Sequence, residues 1–218
     1  AVDIILDKNQ VPYILVTLDN KAGYAVYKGD PATFRFTKLA IRTFGFTVPK
    51  SLAVDSLGNL YVMSQFVANR VEIDKYSSSL LFVGSLTASP LSLGVRPLDL
   101  RVDNDTLYVS YATVNAANQL TGTIKRYAKD FSTQLWEINL GLNYSANTIK
   151  IAGDALYLSG AFGGSSFIAR YTTAGKKVWT DTFSTPTATG SESVEGLATA
   201  SQINALFPAG YGYAGSAD

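Results

Sequence analysis

A spacing of about 48 residues recurs along the sequence and limits what the chain can fold into. Each repeat places an aromatic residue directly after a short polar turn. These residues are Tyr13, Tyr61, Tyr108, Tyr157 and Phe207, at separations of 48, 47, 49 and 50 positions. A period of this length indicates one supersecondary unit, repeated so that each copy buries the hydrophobic face of the next.

Two further aromatic columns follow the first within the repeats. The second column comprises Tyr27, Tyr76, Tyr127 and Tyr171, and the third comprises Phe34, Phe36, Phe82, Trp136 and Trp179. Apolar and polar residues alternate with a period of two between turns of Asp, Asn, Gly and Ser, so each repeat reads as four short strands. The sequence therefore predicts an all-β fold, a β-propeller of four-stranded antiparallel blades whose aromatic columns pack between neighbouring sheets.

The predicted blades cover residues 1–48, 49–96, 97–144 and 145–190 of a single domain, with a partial fifth blade at 191–218. A ring that does not close exposes a hydrophobic blade face and a strand edge. We therefore expect the chain to be a fragment of a longer polypeptide and a larger ring. The rest of that polypeptide, or an assembly partner, would complete the last blade. The alternative is a five-bladed ring with an incomplete last blade.

Two stretches of the repeat resemble known propeller families. The stretch LAVDSLGNLYVMS, at 52–64, resembles the first two strands of NHL and SBBP repeats, and LYLSGAFGGSSFIARYTTAGKKVWTDTF, at 156–183, is similar to a whole SBBP unit. Residues 1–48 fit this frame least well, because they lack the Gly and Trp of the last strand. The resemblance implies a propeller and no particular activity, since such repeats occur in scaffolds, adhesins and enzymes.

The composition excludes several kinds of chemistry. The chain has no Cys and no His, so thiol nucleophiles, Cys-based zinc sites and His-dependent Ser triads are excluded. A net charge of +1 without a basic run gives no reason to expect nucleic acid as a partner. No segment has the about 20 apolar residues of a membrane-spanning helix, so no membrane insertion is expected. The sequence gives no reason to expect a cofactor, a bound metal or a catalytic residue.

Charged residues recur on the first strand of each repeat, which lines the central channel of a propeller. Arg101 and Lys150 are 49 positions apart and share one column, while Asp3 and Asp99 share the neighbouring column, with Glu195 near it. One interpretation is a site at the channel mouth for an anion or a carboxylate-bearing ligand. The other is a set of structural ion pairs, for example between Asp99 and Lys150.

Other polar motifs admit two interpretations each. The turns at 7–9, 55–59 and 103–105 carry oxygen ligands that suit calcium, but Asp and Asn also favour turns because they bind their own backbone. Trp136 and Trp179 resemble the Trp of quinone-binding propeller repeats, although core packing explains them as well. Asn104 and Asn143 begin glycosylation triplets in predicted loops.

These observations favour a non-enzymatic function. We expect an extracellular or cell-surface scaffold or protein-binding module within a larger protein, acting in adhesion through the loops of one ring face. A carbohydrate-binding propeller is the second hypothesis, with Tyr24, Tyr211 and Tyr213 in loops stacking on sugar rings. A lactonase or glycosidase type of enzyme is the third, and it would need a metal or a pair of acids in the channel.

Overall fold

The computed structural model describes residues 2–19, 23–43, 47–66, 69–90, 94–104, 106–183, 192–200 and 205–212. The regular structure within these ranges is β-strand, which confirms the all-β prediction. Four sheets have four strands each, and a fifth has two described strands. Among the described residues, no helix is long and apolar enough to cross a membrane.

The strands follow the predicted repeats closely. The first sheet contains β1 (Asp3–Leu6), β2 (Pro12–Thr17), β3 (Tyr24–Gly29) and β4 (Phe36–Arg42). The second contains β5 (Thr47–Val54), β6 (Leu60–Phe66), β7 (Arg70–Tyr76) and β8 (Phe82–Thr87). The third contains β9 (Gly94–Asp103), β10 (Thr106–Val114), β11 (Leu120–Ala128) and β12 (Gln134–Leu142). The fourth contains β13 (Tyr144–Ala152), β14 (Ala155–Phe162), β15 (Ser165–Thr172) and β16 (Lys177–Phe183), and the fifth β17 (Glu192–Ala200) and β18 (Ala205–Gly212).

Every sheet is an antiparallel meander, in which each strand pairs with the next one in the sequence. The first strands of successive sheets contact one another, in the order β1, β5, β9, β13 and β17. This is the arrangement of propeller blades around a channel, with the first strands innermost and the fourth strands at the rim. We refer to the sheets as blades 1 to 5.

A polar turn recurs between strands and explains the frequency of Asp and Asn there. Oδ1 of Asp7, Asp55 and Asn115 accepts hydrogen bonds from the backbone N–H groups two and four residues further on. The residue three positions on has a left-handed backbone, with φ of 83° at Gly58 and 61° at Gln10. Gly tolerates this conformation without strain and Gln does not. The backbone of this turn is therefore less strained in blade 2 than in blade 1.

The hydrophobic core lies between the blades. Three clusters of buried side chains form, one at each interface between blades 1 and 2, 2 and 3, and 3 and 4. Leu52, Leu100 and Ile149 occupy equivalent first-strand positions and are fully buried. Ile4 occupies the same position in blade 1 and is 59% exposed, because no described blade covers that face. Each blade is therefore stabilised mainly by its neighbours.

The packing prediction is right for most of the first two aromatic columns and wrong for part of the third. Tyr27 and Tyr157 are only partly buried, and the side chain of Phe207 lies outside the described residues. Tyr61 and Tyr108, of the first column, and Tyr127, of the second, are buried. In the third column, Phe34 is 84% exposed and lies in a turn, and Phe82 is 57% exposed. The fourth strands are at the rim, so their side chains are covered only where a neighbouring turn reaches over them.

Candidate functional site

The acidic column of the first strands holds the blades together. Asp3, Ser51, Asp99 and Thr148 occupy equivalent positions, and a β-bulge directly precedes the last three. The bulge shifts the register and sets the side chain that follows it toward the adjacent blade.

Asp99 is almost completely buried and takes its hydrogen bonds from three blades. Oδ2 accepts the N–H of Ile149 in blade 4 at 2.7 Å, and Oδ1 accepts the N–H of Leu100 at 2.9 Å. The Arg101 guanidinium lies 3.1 Å from Oδ1. Ser51 Oγ in blade 2 is 3.3 Å from the same oxygen. Burial raises the pKa of Asp99 to about 6, although Arg101 and the two N–H groups act in the opposite direction.

Asp3 has the same role one interface earlier. Its Oδ2 accepts the N–H of Leu52 in blade 2 at 2.8 Å, and Ser51 Oγ lies 3.2 Å from this oxygen. The single O–H of Ser51 therefore donates to either Asp3 or Asp99. Both carboxylates accept a backbone N–H of the first strand of a following blade, so they are structural groups and not a free pair of acids.

Arg101 and Lys150 face a cavity of about 400 Å³ between the first strands. Its lining residues are Ile5, Leu6, Arg101, Val102, Asp103, Thr148, Ile149, Lys150 and Ile151. The Nε atom of Arg101 donates to the Ile149 carbonyl at 3.2 Å, and the side chain remains 37% exposed. Arg101 is thus held in place by Asp99 and Ile149 while part of its guanidinium stays accessible.

Lys150 is not the partner of Asp99, which pairs with Arg101 on its own strand. The ion pair expected between Asp99 and Lys150 is therefore wrong, because Arg101 is two residues away on the same face of β9. The side chain of Lys150 makes no hydrogen bond or ion pair with any residue in the described part of the chain. It lines the cavity beside Arg101, as the shared column predicts.

Glu195 does not align with the acidic column. The register of β17 with β18 breaks between Val194 and Gly196, and Gly196 takes the position equivalent to Thr148. Glu195 is at the bulge itself, and its side chain lies outside the described residues. Glu195 therefore lies one position before the acidic column, near it as expected but not in it.

A second charged cluster, between blades 1 and 2, was missed from the sequence. Arg42 pairs with Asp74 and, at 3.0 Å, with Glu72. The Tyr24 hydroxyl donates to Asp74 at 2.6 Å and lies 2.9 Å from the Tyr76 hydroxyl. Burial, followed by the charge of Asp74, raises the pKa of Tyr24 well above its usual range. The residues of this charged cluster lie on strands of two different blades, so no local sequence motif indicates the cluster.

Tyr24 therefore does not serve the proposed sugar site. It begins β3 and is completely buried, so its predicted place in a loop is wrong. Tyr211 lies in β18, and its side chain is outside the described residues, as is Tyr213.

The candidate calcium turns use their oxygens within the protein. Asp55 accepts from the N–H groups of Leu57 and Asn59, each at 2.9 Å, and from the Asn59 side chain at 2.8 Å. Burial disfavours the ionised form, but these hydrogen bonds outweigh it, so the pKa of Asp55 is lowered. Asp105 lies outside the described residues, and the described ones contain no cluster of three metal-ligating side chains.

Asn104 and Asn143 both lie in exposed turns with a left-handed backbone, at φ of 50° and 65°. Asn tolerates this conformation better than most residues, so local backbone geometry explains both positions without a glycan. Their glycosylation stays a prediction.

Comparison with known proteins identifies the architecture and no family. No family model matches the sequence, and no curated protein sequence matches it. Several solved β-propeller structures share the fold. Hydrazine synthase of Kuenenia stuttgartiensis is 17% identical with a TM-score of 0.59, covering 83% of this chain and 48% of its own. A sialidase of Trypanosoma rangeli in complex with 2,3-difluorosialic acid is 11% identical with a TM-score of 0.57, covering 80% and 36%.

A prolyl endopeptidase is 12% identical with a TM-score of 0.57, and its match covers 99% of this chain and 36% of its own. The chain spans between 36% and 58% of the length of seven such propeller structures. At these identities the comparisons establish the propeller fold alone, which confirms the predicted fold class.

Proposed function

We propose that the chain is part of a non-enzymatic β-propeller binding module that recognises a carboxylate group of a partner protein in its channel. The recognition groups are Arg101 and Lys150, from adjacent blades. The SBBP and NHL resemblance and an extracellular or cell-surface location belong to this proposal. The resemblance and the location both agree with a repeat whose residues differ from blade to blade outside the aromatic packing columns.

The accessible cations in the channel cavity carry the proposal. Arg101 is oriented by Asp99 and by the Ile149 carbonyl, which reduces the entropy lost when it binds a ligand. Lys150 contributes a second positive charge to the same cavity, and Asp103 is the one acidic residue among the described lining residues. A planar carboxylate matches the forked donors of Arg and gains from the nearby ammonium group.

The same contacts favour binding over hydrolysis. Asp3 and Asp99 are the acids that a channel enzyme would use, and both are occupied by N–H groups of the next blade. A glycosidase needs one carboxyl to donate a proton and another to act on the substrate, so both must be accessible. The burial of Tyr24 removes one of the three aromatic candidates for a sugar site.

Binding of a short acidic peptide tests the proposal. An acetylated, amidated Gly-Asp-Gly-Asp peptide would be titrated into the full chain and followed by ¹⁵N NMR. We expect shifts confined to the cavity residues, and affinity about tenfold weaker in Lys150→Met, the loss of roughly 1.4 kcal/mol. Lys150 is the better position for this test, because removing Arg101 would also leave the buried Asp99 without its cation.

Lys177→Met is the matched control, since Lys177 is exposed on the rim strand β16. The Gly-Asn-Gly-Asn peptide is the control ligand. Equal binding of both peptides, or equal affinity in the two Lys variants, would show that the cavity does not recognise a carboxylate.

A further inference from the structure

A tyrosine and a cation are paired in each of the four complete blades. The second-strand tyrosine is opposite a third-strand Lys or Arg in the register, and the pairs are Tyr13 and Lys28, Tyr61 and Lys75, Tyr108 and Arg126, and Tyr157 and Arg170. The cation lies over the ring at 5.7, 5.6 and 5.4 Å in blades 1, 2 and 3. This cation–π contact directs the charged end of the side chain along the face of its blade.

In blades 2 and 3 this cation also binds the following blade. Lys75 Nζ donates to the Lys129 carbonyl of blade 3 at 3.0 Å. Arg126 Nη1 donates to the Thr173 carbonyl of blade 4 at 2.9 Å. Both carbonyls belong to the turn that joins the third and fourth strands of the following blade. The contact is therefore a repeated polar latch between a cation and a neighbouring hairpin turn.

Trp136 completes the latch on blade 3. It pairs with Arg126 in the register, and its Nε1 donates to the same Thr173 carbonyl at 3.0 Å. Its ring also lies against Gly175, where a Cβ atom would come within 3.2 Å of it. Gly175 has a φ of 86°, so the turn needs Gly both for its backbone and for this close approach.

Blade 4 carries the same two donors, for which the described residues provide no acceptor. Arg170 and Trp179 pair in the register as Arg126 and Trp136 do. Arg170 Nε is buried and has no hydrogen-bond partner, and within the described chain neither side chain makes a hydrogen bond or ion pair. Trp179 is 39% exposed, whereas Trp136 is partly buried. The strand β17 of blade 5 lies against β13, β14 and β15, which leaves Trp179 on β16 accessible.

We propose that Arg170 and Trp179 form a docking site for the turn of a β-hairpin of this repeat type, supplied by a partner polypeptide. The hairpin contributes a backbone carbonyl to both donors and a Gly two residues later that packs on the Trp179 ring. Its turn lies against Trp179 on β16 as the turn with Thr173 and Gly175 lies against Trp136 on β12. The latch between blades 3 and 4 defines the geometry of this complex, and the inference does not depend on the channel site.

A synthetic hairpin provides the probe. The peptide copies residues 165–183, which include the turn with Thr173 and Gly175, and carries Phe in place of its Trp. The full chain has two Trp residues and so two indole N–H signals in a ¹⁵N NMR spectrum, which Trp179→Phe assigns. We expect the Trp179 signal to shift on titration while the Trp136 signal, already bonded to Thr173, stays in place. Arg170→Met should weaken binding about tenfold, and Lys177→Met should not change it.

The peptide with Gly175→Ala should bind at least about tenfold more weakly, because the added methyl opposes both the backbone and the ring contact. The Trp179→Phe chain tests the site without changing a buried side chain. It should bind the hairpin peptide more weakly than the unsubstituted chain does. An unchanged Trp179 signal, or equal affinity in Arg170→Met and Lys177→Met, would overturn the proposal. A shift of the Trp179 signal on concentrating the chain alone would identify a second copy as the occupant and overturn it as well.

Discussion

The interface between blades 1 and 2 and the interface between blades 3 and 4 join the same kind of sheet by different chemistry. The first interface contains a buried network of charged side chains, in which Arg42 of blade 1 meets Glu72 and Asp74 of blade 2. At the second, side-chain donors reach neutral backbone carbonyls, as when Ser110 donates to Ala146 and Trp136 to Thr173. A buried ion pair depends on both partners, whereas a carbonyl that loses one donor keeps other hydrogen bonds. The two interfaces should therefore respond differently to single substitutions.

The largest difference is expected at Asp74. Asp74→Ala leaves Arg42 buried without its closest anion and should lower the free energy of unfolding by about 3–5 kcal/mol. Glu137→Ala is the control. The Glu137 side chain is 44% exposed on the rim strand β12, so the loss of its ion pair with Lys125 should cost less than about 1 kcal/mol. Urea unfolding of both variants measures the difference. Similar losses in the two would mean that the network contributes no more than a surface pair.

The carboxyl of Asp99 should make stability depend on pH. Its pKa is raised to about 6 in the folded state, so the folded chain holds a proton that the unfolded chain has released. The stabilisation is therefore present below the unfolded pKa and is lost as the pH rises through about 4 to 6, by up to about 3 kcal/mol. Asp99→Asn should remove this contribution. Urea unfolding of both chains at several pH values measures this. If the free energy of unfolding changed with pH in the same way in both chains, the assignment would be contradicted.

Removal of one hydroxyl group separates the two interfaces further. Tyr24→Phe takes a donor from the buried Asp74 carboxylate and should cost about 1.5–3 kcal/mol. Tyr108 is equally buried between blades 3 and 4, and its hydroxyl makes no hydrogen bond with the residues that the structure describes. Tyr108→Phe should therefore change stability by less than about 0.5 kcal/mol. Thermal unfolding of the pair measures this, and equal losses would show that the Tyr24 hydrogen bond contributes little.

The smallest predicted effect is at the tryptophans. Trp136→Phe keeps an aromatic ring and removes the donor to Thr173, so it should cost about 1 kcal/mol. Trp179→Phe makes the same change where no acceptor is described, and it should cost less than about 0.5 kcal/mol. The comparison uses chemical denaturation of the isolated chain. A larger loss at Trp179 than at Trp136 would contradict the latch between blades 3 and 4.

The repeat made the fold predictable from the sequence, because a period of about 48 residues with three aromatic columns leaves few alternatives to blades. It also placed Arg101 and Lys150 together, since both follow the same column of the first strands. It failed where a contact depends on geometry outside the period. The Tyr24 network joins residues up to 52 positions apart that share no motif. The packing prediction also failed at the rim. Phe34, in the turn before β4, follows the sequence period but is exposed, because no neighbouring blade covers it.

A crystal structure of the chain with the acidic Gly-Asp-Gly-Asp peptide would test the central claim most directly. The account predicts a peptide carboxylate within hydrogen-bond distance of both Arg101 and Lys150, with Asp3 and Asp99 still bonded to Leu52 and Ile149. A carboxylate bound elsewhere, or a channel in which Asp3 or Asp99 has left the neighbouring strand to contact the ligand, would contradict it.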